Sequence, residues 1–356
     1  MRLFVPTNAR DIETLCIYHR VDMDGKCSGA IINYIYTKVL EKRNIWFIGC
    51  NYEKDFDINQ ILQSFPNIRE MYVVDYSLSP EDTIIVINKN ISLIWCDHHK
   101  TAIEKYEQHP EFEYSSISTW DDPDIKEFKY KNNDNFLGVV SYKHSGASLT
   151  YIVLAPILVN STIGNTEVGK GIVNNIATVA TIVSTYDTWD HTNQTKWDIA
   201  YAFNNGTRLY NLYPVEDKWF EIFENVDTVM KIIHEGEIIT KINDIQNKIT
   251  ADAYAGTLTW EGLNFCIINK LGNSNIVNSV FNPSIHDAVL LFMYSPKESL
   301  YKISMFSNDK LSEEQKEKLD LSTIALKYGG GGHRLACGFS CEELPFKVKD
   351  IKPILK

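Results

Sequence analysis

The chain has 356 residues, 44% hydrophobic and 23% charged. That is the balance of a folded protein with a sizeable core and, at roughly 150 residues per domain, of two domains. Lys and Arg number 35 against 46 Asp and Glu, a net charge of −11. This argues against a protein that coats duplex DNA or an anionic membrane, because neutralising phosphates needs a basic surface, and it leaves small phosphorylated substrates open.

Met1 to Glu13 carries Arg2, Arg10, Asp11 and Glu13, with no continuous apolar stretch and no small-residue cleavage site, so no targeting segment is read there. The seven cysteines are scattered, with no C-x-x-C pair, and read as reduced thiols of a cytoplasmic protein. The most apolar run, Ala147 to Val159, is broken by Ser148, Thr150 and Pro156 and is too short to span a bilayer.

Four short apolar runs open the chain: Leu15 to Tyr18, Ile45 to Ile48, Met71 to Val74 and Ile91 to Cys96. None alternates cleanly with polar residues, as befits strands buried on both faces. Between the first two, Ala30, Ile31, Tyr34, Ile35, Val39 and Leu40 recur at helical spacing. Strand, helix and strand in repetition predict a parallel α/β sheet. Residues 104–137 are polar, with Asp121-Asp122-Pro123-Asp124 and Lys131 to Asn135, and read as an irregular insert. Ser145 is placed to cap a helix running to Ile157, and Gly171 to Ser184 reads as a second apolar helix. Val215 to Thr250 has no Pro and a helical apolar spacing, as a helical connection would. From Thr257 the chain turns to β patterns: a hairpin across Glu261-Gly262, then runs at Ala288 to Tyr294 and Leu300 to Phe306. These predict a smaller α/β domain.

The informative feature is where the acids fall. Tyr18 is followed by His19, Asp22 and Asp24, Val74 by Asp75, and Cys96 by Asp97, His98 and His99. In an open parallel sheet the carboxyl ends of the strands form the ligand crevice, so these residues converge in space. Four carboxylates and three imidazoles there need a cation among them, and a divalent metal answers that need. Oxygen ligands with a minority of imidazole nitrogen suit manganese or magnesium better than a thiolate-preferring ion. A calcium loop at Asp22-x-Asp24 is excluded by the missing downstream acids around Cys27-Ser28. The second signal is Gly329-Gly330-Gly331-Gly332-His333-Arg334. Consecutive glycines can bring backbone N–H groups close to an anion, and the Arg supplies a planar donor fork for phosphate.

Taken together these motifs resemble the DHH phosphoesterase family, whose name matches Asp97-His98-His99. Asp22-x-Asp24-Gly25 with Ser28 matches its first motif, Asp75 the second and Asp97-His98-His99 the third. The glycine run with His333, Arg334 and Ala336-x-Gly338 matches the C-terminal DHH-associated domain of the subgroup acting on short oligonucleotides and related phosphoesters. Asp187-Thr188 fits the fourth motif, with Asp190 the runner-up. One departure is the spacing after His19, where Arg20 and Val21 alone precede Asp22.

The resemblance implies an N-terminal catalytic domain over 1–210, a helical linker over 211–252 and a substrate-binding domain over 253–356. It implies two divalent ions, manganese before magnesium. One would be held by His19, Asp22 and Asp75, the other by Asp24, Asp75, His98 and Asp187. His99 would face the phosphate, with Asp97 orienting a histidine, and Gly330, Gly331, Gly332, His333 and Arg334 would bind substrate. The expected activity is hydrolysis of small nucleotide phosphoesters, namely short oligonucleotides, cyclic nucleotides or 3′,5′-bisphosphates, by metal-activated water. The alternatives are a pyrophosphatase or exopolyphosphatase, and a nucleotide-binding protein with a retired site. Partners would be a small nucleotide or short single strand, neither duplex DNA nor membrane, with a homodimer left open.

Overall fold

Leu15, Cys16 and Ile17 are fully buried because β1 (Thr14–His19) runs through the middle of a sheet covered on both faces. The computed structural model describes residues 4–52, 56–114, 120, 122–131 and 133–354, and the chain divides into two units, Met1–Ile239 and Thr240–Lys356.

The first unit continues with α1 (Met23–Tyr34), β2 (Ile45–Cys50), α2 (Ile58–Ser64), β3 (Glu70–Val74), α3 (Pro80–Asn88), β4 (Ser92–Asp97) and α4 (Lys100–Gln108). Next come β5 (Phe112–Tyr114), β6 (Lys126–Tyr130) and β7 (Asn133–Val140), and the helices α5 (Gly146–Val159), α6 (Glu167–Asp187), α7 (Gln194–Thr207) and α8 (Lys218–Glu224). The strand order is β2-β1-β3-β4-β7-β6-β5. The first five are parallel, and β6 and β5 are added antiparallel at one edge. Alternate residues feed two cores. Cys16, Tyr18, Val74 and Cys96 pack with α1, α5 and α6, while Leu15, Ile17, Val73 and Trp95 pack with α2, α3 and α4. The chain leaves β1 toward β2 on one side and returns through β3 on the other, so the strand order reverses at β1/β3.

The stretch 104–137, expected to be irregular, instead supplies β5, β6 and the start of β7, with 115–119, 121 and 132 (hence Asp121 and Asn132) outside the described residues. Its polarity follows from its place at a sheet edge: Phe128 and Phe136 are buried while Lys126 and Lys129 stay in water. Leu212, Trp219, Ile222 and Phe223, within the expected linker, belong to the core of the first unit. The division between units falls inside the 29-residue α9 (Val226–Tyr254).

The second unit contains β8 (Gly256–Trp260), β9 (Leu263–Ile268), β10 (Ala288–Ser295), β11 (Leu300–Phe306), α10 (Glu313–Lys318), α11 (Leu321–Lys327), β12 (Gly331–His333), β13 (Ala336–Cys341) and β14 (Lys352–Pro353). Its sheet runs β12-β13-β11-β10-β9-β8-β14, antiparallel except at β9/β10. The β8–β9 hairpin turns at Glu261-Gly262, both with positive φ (50° and 80°), as a two-residue type I′ turn demands. Among the described residues no helix is long and apolar enough to cross a membrane.

Candidate metal centre

His19 ends β1, Asp75 follows β3, and Asp97 ends β4 with His98 and His99 next. Parallel register aligns these ends, pairing Tyr18 with Val74 and Val74 with Cys96. Asp22 caps α1, its Oδ1 accepting from the Gly25 N–H at 3.1 Å. Gly25 is required because a Cβ there would lie 2.0 Å from the His19 carbonyl oxygen. Asp187, the last residue of α6, reaches the same place, whereas Asp190 binds the Thr192 N–H and hydroxyl in an exposed turn. The structure thus gathers His19, Asp22, Asp24, Asp75, Asp97, His98, His99 and Asp187 into three overlapping groups, within each of which ligand atoms lie within 4.8 Å of one another.

One group is His19, Asp22 and Asp75. The His19 Nδ1 stands 2.6 Å from the Asp22 Oδ2 and 3.6 Å from the Asp75 Oδ2, and its Nε2 is 3.1 Å from the Asn51 Oδ1. A second is Asp24, His98 and Asp187. The His98 Nε2 lies 3.1 Å from the Asp187 Oδ2, 3.4 Å from the Asp75 Oδ1 and 3.8 Å from the Asp24 Oδ2. Asp75 lies between them, its backbone held left-handed at φ 48° as β3 ends.

The carboxylates are treated differently by their surroundings. Asp24 is buried, yet both its oxygens are bound by the first amides of α5, Gly146 N–H at 2.7 Å and Ala147 N–H at 2.9 Å. A helix N-terminus favours that negative charge. On Asp97, burial pushes the pKa up, but His99 and the Ser77 hydroxyl outweigh it and hold the carboxyl below its usual range. Its Oδ1 accepts from the His99 Nδ1 (2.7 Å) and the His98 and His99 amides, and its Oδ2 from Ser77 Oγ. Asp75 is the exception. It is 1% exposed and neither oxygen accepts a hydrogen bond. Burial, then the charge of Asp24, pushes its carboxyl far up. Burial and Asp24 likewise push Asp187 up to about 7.

A buried carboxylate without a donor is costly unless a cation sits against it. The donor set is five carboxylates and three imidazoles, with no thiolate, and it fits a hard divalent ion. Cys96, next to Asp97, is a buried thiol pushed up to about 12 by burial. Sequence reasoning missed Gly146, Ala147 and Ser77. The Ser145 cap marks the start of α5, but nothing in the sequence says which carboxylate its amides face.

In the second unit the glycine run has structural reasons of its own. Gly329 (φ 76°) ends α11, with its N–H on the Leu326 carbonyl and the Gly330 N–H on that of Ala325, a Schellman termination. A Cβ on Gly330 would lie 2.2 Å from the Gly338 carbonyl oxygen, and Gly332 has φ 131°, whereas a Cβ on Gly331 would meet nothing within 4 Å. His333 and Arg334 are exposed, and the Arg334 Nη1 donates to the carbonyls of Lys316, Glu317 and Leu319 at the end of α10. The donor fork foreseen for phosphate is therefore partly engaged in capping a helix.

A solved DHH domain, from a protein described as a member of a family of ribosomal proteins, matches 94% of this chain and 83% of its own, with TM-score 0.54 and 13% identity. This chain has the DHH fold. Uncharacterized protein R106 of Acanthamoeba polyphaga mimivirus is 24% identical over 365 residues, covering 96% of this chain and 71% of that protein. A looser likeness, with TM-score 0.42 and 11% identity over 95% of this chain and 91% of the other, is to exonuclease RecJ bound to manganese, and it decides nothing about the activity here. No family model matches the sequence.

Proposed function

We propose that the chain is a DHH-family hydrolase, dependent on divalent metal, that acts on small nucleotide phosphoesters: short oligonucleotides, cyclic nucleotides or 3′,5′-bisphosphates. The observation that carries this reading is Asp75, a buried carboxylate with both oxygens unbonded and imidazole nitrogens of His98 and His19 3.4 and 3.6 Å away. In this reading His19, Asp22 and Asp75 hold one cation and Asp24, Asp75, His98 and Asp187 the other, manganese before magnesium. Bound there, the ions would supply Lewis acidity, easing ionisation of water near neutral pH and offsetting charge on phosphoryl oxygens.

The chain's own residues supply the rest. Asp97 engages the Nδ1 of His99, so the Nε2 is the nitrogen left for a phosphate oxygen or a leaving group. Burial pushes the His99 pKa down, but Asp97 outweighs it and raises it above the ordinary value, favouring a cationic ring beside an anionic substrate. The thiols of Cys16, Cys27 and Cys96 are buried and shifted up, which suits core packing and not nucleophilic attack. In the second unit Gly331 carries no packing demand, which supports approach of substrate to the backbone there, with Gly330, Gly332, His333 and Arg334 beside it.

The test is turnover, with manganese present, of a panel of 5′-phosphorylated dinucleotides, a nucleoside 3′,5′-bisphosphate, cyclic dinucleotides and inorganic polyphosphate. Hydrolysis of one or more nucleotides, lost in Asp75→Asn, is the expected result. Turnover of polyphosphate alone, or turnover that survives Asp75→Asn, would overturn the reading.

A further inference from the structure

A cavity of about 520 Å³ adjoins the cluster within the first unit, its wall including Asp22, Asp24 and Asp187. That is the size range of small-molecule sites. The same wall carries two cations, Lys26 early in α1 and Arg208 just past α7, together with the ring of Tyr213. The chain has 46 carboxylates against 35 basic residues, yet among the described residues neither Lys26 nor Arg208 forms an ion pair. The Lys26 Nζ instead lies 5.7 Å from the centroid of the Tyr213 ring, and Tyr213 is half exposed. Lys26 follows Asp22 by four positions, one turn of about 5.4 Å along the same helix face. A positive wall thus begins one turn from the acids.

We propose that this cavity is a subsite for a nucleoside 5′-phosphate unit joined to the group being hydrolysed. Lys26 and Arg208 take its terminal phosphate and Tyr213 lies against its base. The proposal rests on the phosphoesterase reading of the cluster and adds to it that the substrate carries a second anionic phosphate. Arg is suited to the task by its planar fork and Lys as a point charge. A ring such as Tyr213 accepts any base through its π face.

Calorimetry with the manganese-loaded full chain, using adenosine 5′-monophosphate and adenosine as probes, tests the assignment. The nucleotide is expected to bind at least about tenfold more tightly than the nucleoside. Lys26→Gln and Arg208→Gln should each weaken the nucleotide about tenfold, leaving adenosine and manganese binding unchanged. Tyr213→Ala should weaken both probes. Equal affinity of the nucleotide for wild type and both cation variants would place its phosphate elsewhere and overturn the subsite. Turnover across the same panel of 5′-phosphorylated dinucleotides, nucleoside 3′,5′-bisphosphate and cyclic dinucleotides separates the two claims. Nucleotide binding through Lys26 and Arg208 without any turnover sinks the hydrolase reading alone, whereas turnover with binding indifferent to both variants sinks the subsite alone.

Discussion

The backbone of Gly146 lies directly against Asp75: a Cβ on Gly146 would stand 2.5 Å from the Asp75 Cβ and 3.0 Å from the Asp24 Oδ2. The N–H of the same residue binds Asp24 at 2.7 Å. The start of α5 thereby sets the separation of two candidate ligands, one by contact and one by hydrogen bond. Gly146→Ala must push Asp75 or α5 aside, at about 1–3 kcal/mol for an overpacked buried site. We expect a lower midpoint of urea unfolding and, by titration calorimetry, manganese affinity reduced roughly ten- to a hundredfold, as when a group supporting metal ligands is lost.

Asp75→Asn makes a sharper case, because its two effects have opposite signs. Without metal, the buried Asp75 carboxyl must either carry a charge that no donor satisfies or take up a proton that the unfolded chain does not bind at pH 7 to 8. The variant removes both costs, so the metal-free variant should be more stable than metal-free wild type. With metal, wild type gains stability in proportion to ligand saturation, about 2.7 kcal/mol at a hundred times Kd, and the variant should gain little. Thermal unfolding in chelator and in manganese gives all four values. A metal-free variant less stable than wild type would show that Asp75 is satisfied without a cation.

Much of this centre was legible because a parallel sheet brings the ends of its strands together whatever the distance along the chain. Acids after Tyr18, Val74 and Cys96 therefore imply one crevice from the sequence alone. The support for those acids was not legible. Asp24 and Gly146 are 122 positions apart, and only the packing of α5 on α1 joins them. Polarity misled at 104–137, since an edge strand with one wet face resembles a loop in composition. Arg334 shows the converse limit. An arginine after a glycine run reads as a phosphate fork, but three carbonyls at the end of α10 lie within its reach.

Ser77 stands behind the centre. Its hydroxyl donates to the Asp97 Oδ2 and accepts from the Trp95 Nε1 at 3.0 Å, and all three side chains are buried. Ser77→Ala leaves the indole N–H and one carboxylate oxygen without their partner, a loss of about 1–3 kcal/mol. Asp97 then holds His99 less firmly, so kcat should fall more than KM changes. Urea unfolding and steady-state kinetics on whichever nucleotide the panel selects check both parts. An unchanged kcat would separate Ser77 from the orientation of His99.

His286 makes the stability of the second unit depend on pH. The ring is buried, its Nδ1 accepts from the Asn282 N–H at 3.1 Å, and the Nε2 therefore carries the proton toward the Thr257 Oγ1 at 2.9 Å. A backbone N–H can only donate, so protonating the Nδ1 breaks that bond. Burial lowers the ring's pKa below its ordinary 6.5, and Asp287 opposes only in part. The unfolded chain thus takes up the proton more readily than the folded one. The stabilisation is complete above pH 6.5 and declines as pH falls from there through the lower folded value. Amide exchange at Asn282 should accelerate between pH 7 and pH 5.5, after correction for intrinsic rates, together with a falling unfolding midpoint. His286→Asn, whose Oδ1 can take the same N–H without titrating, should flatten that dependence, and an equal slope in both proteins would assign it to other groups.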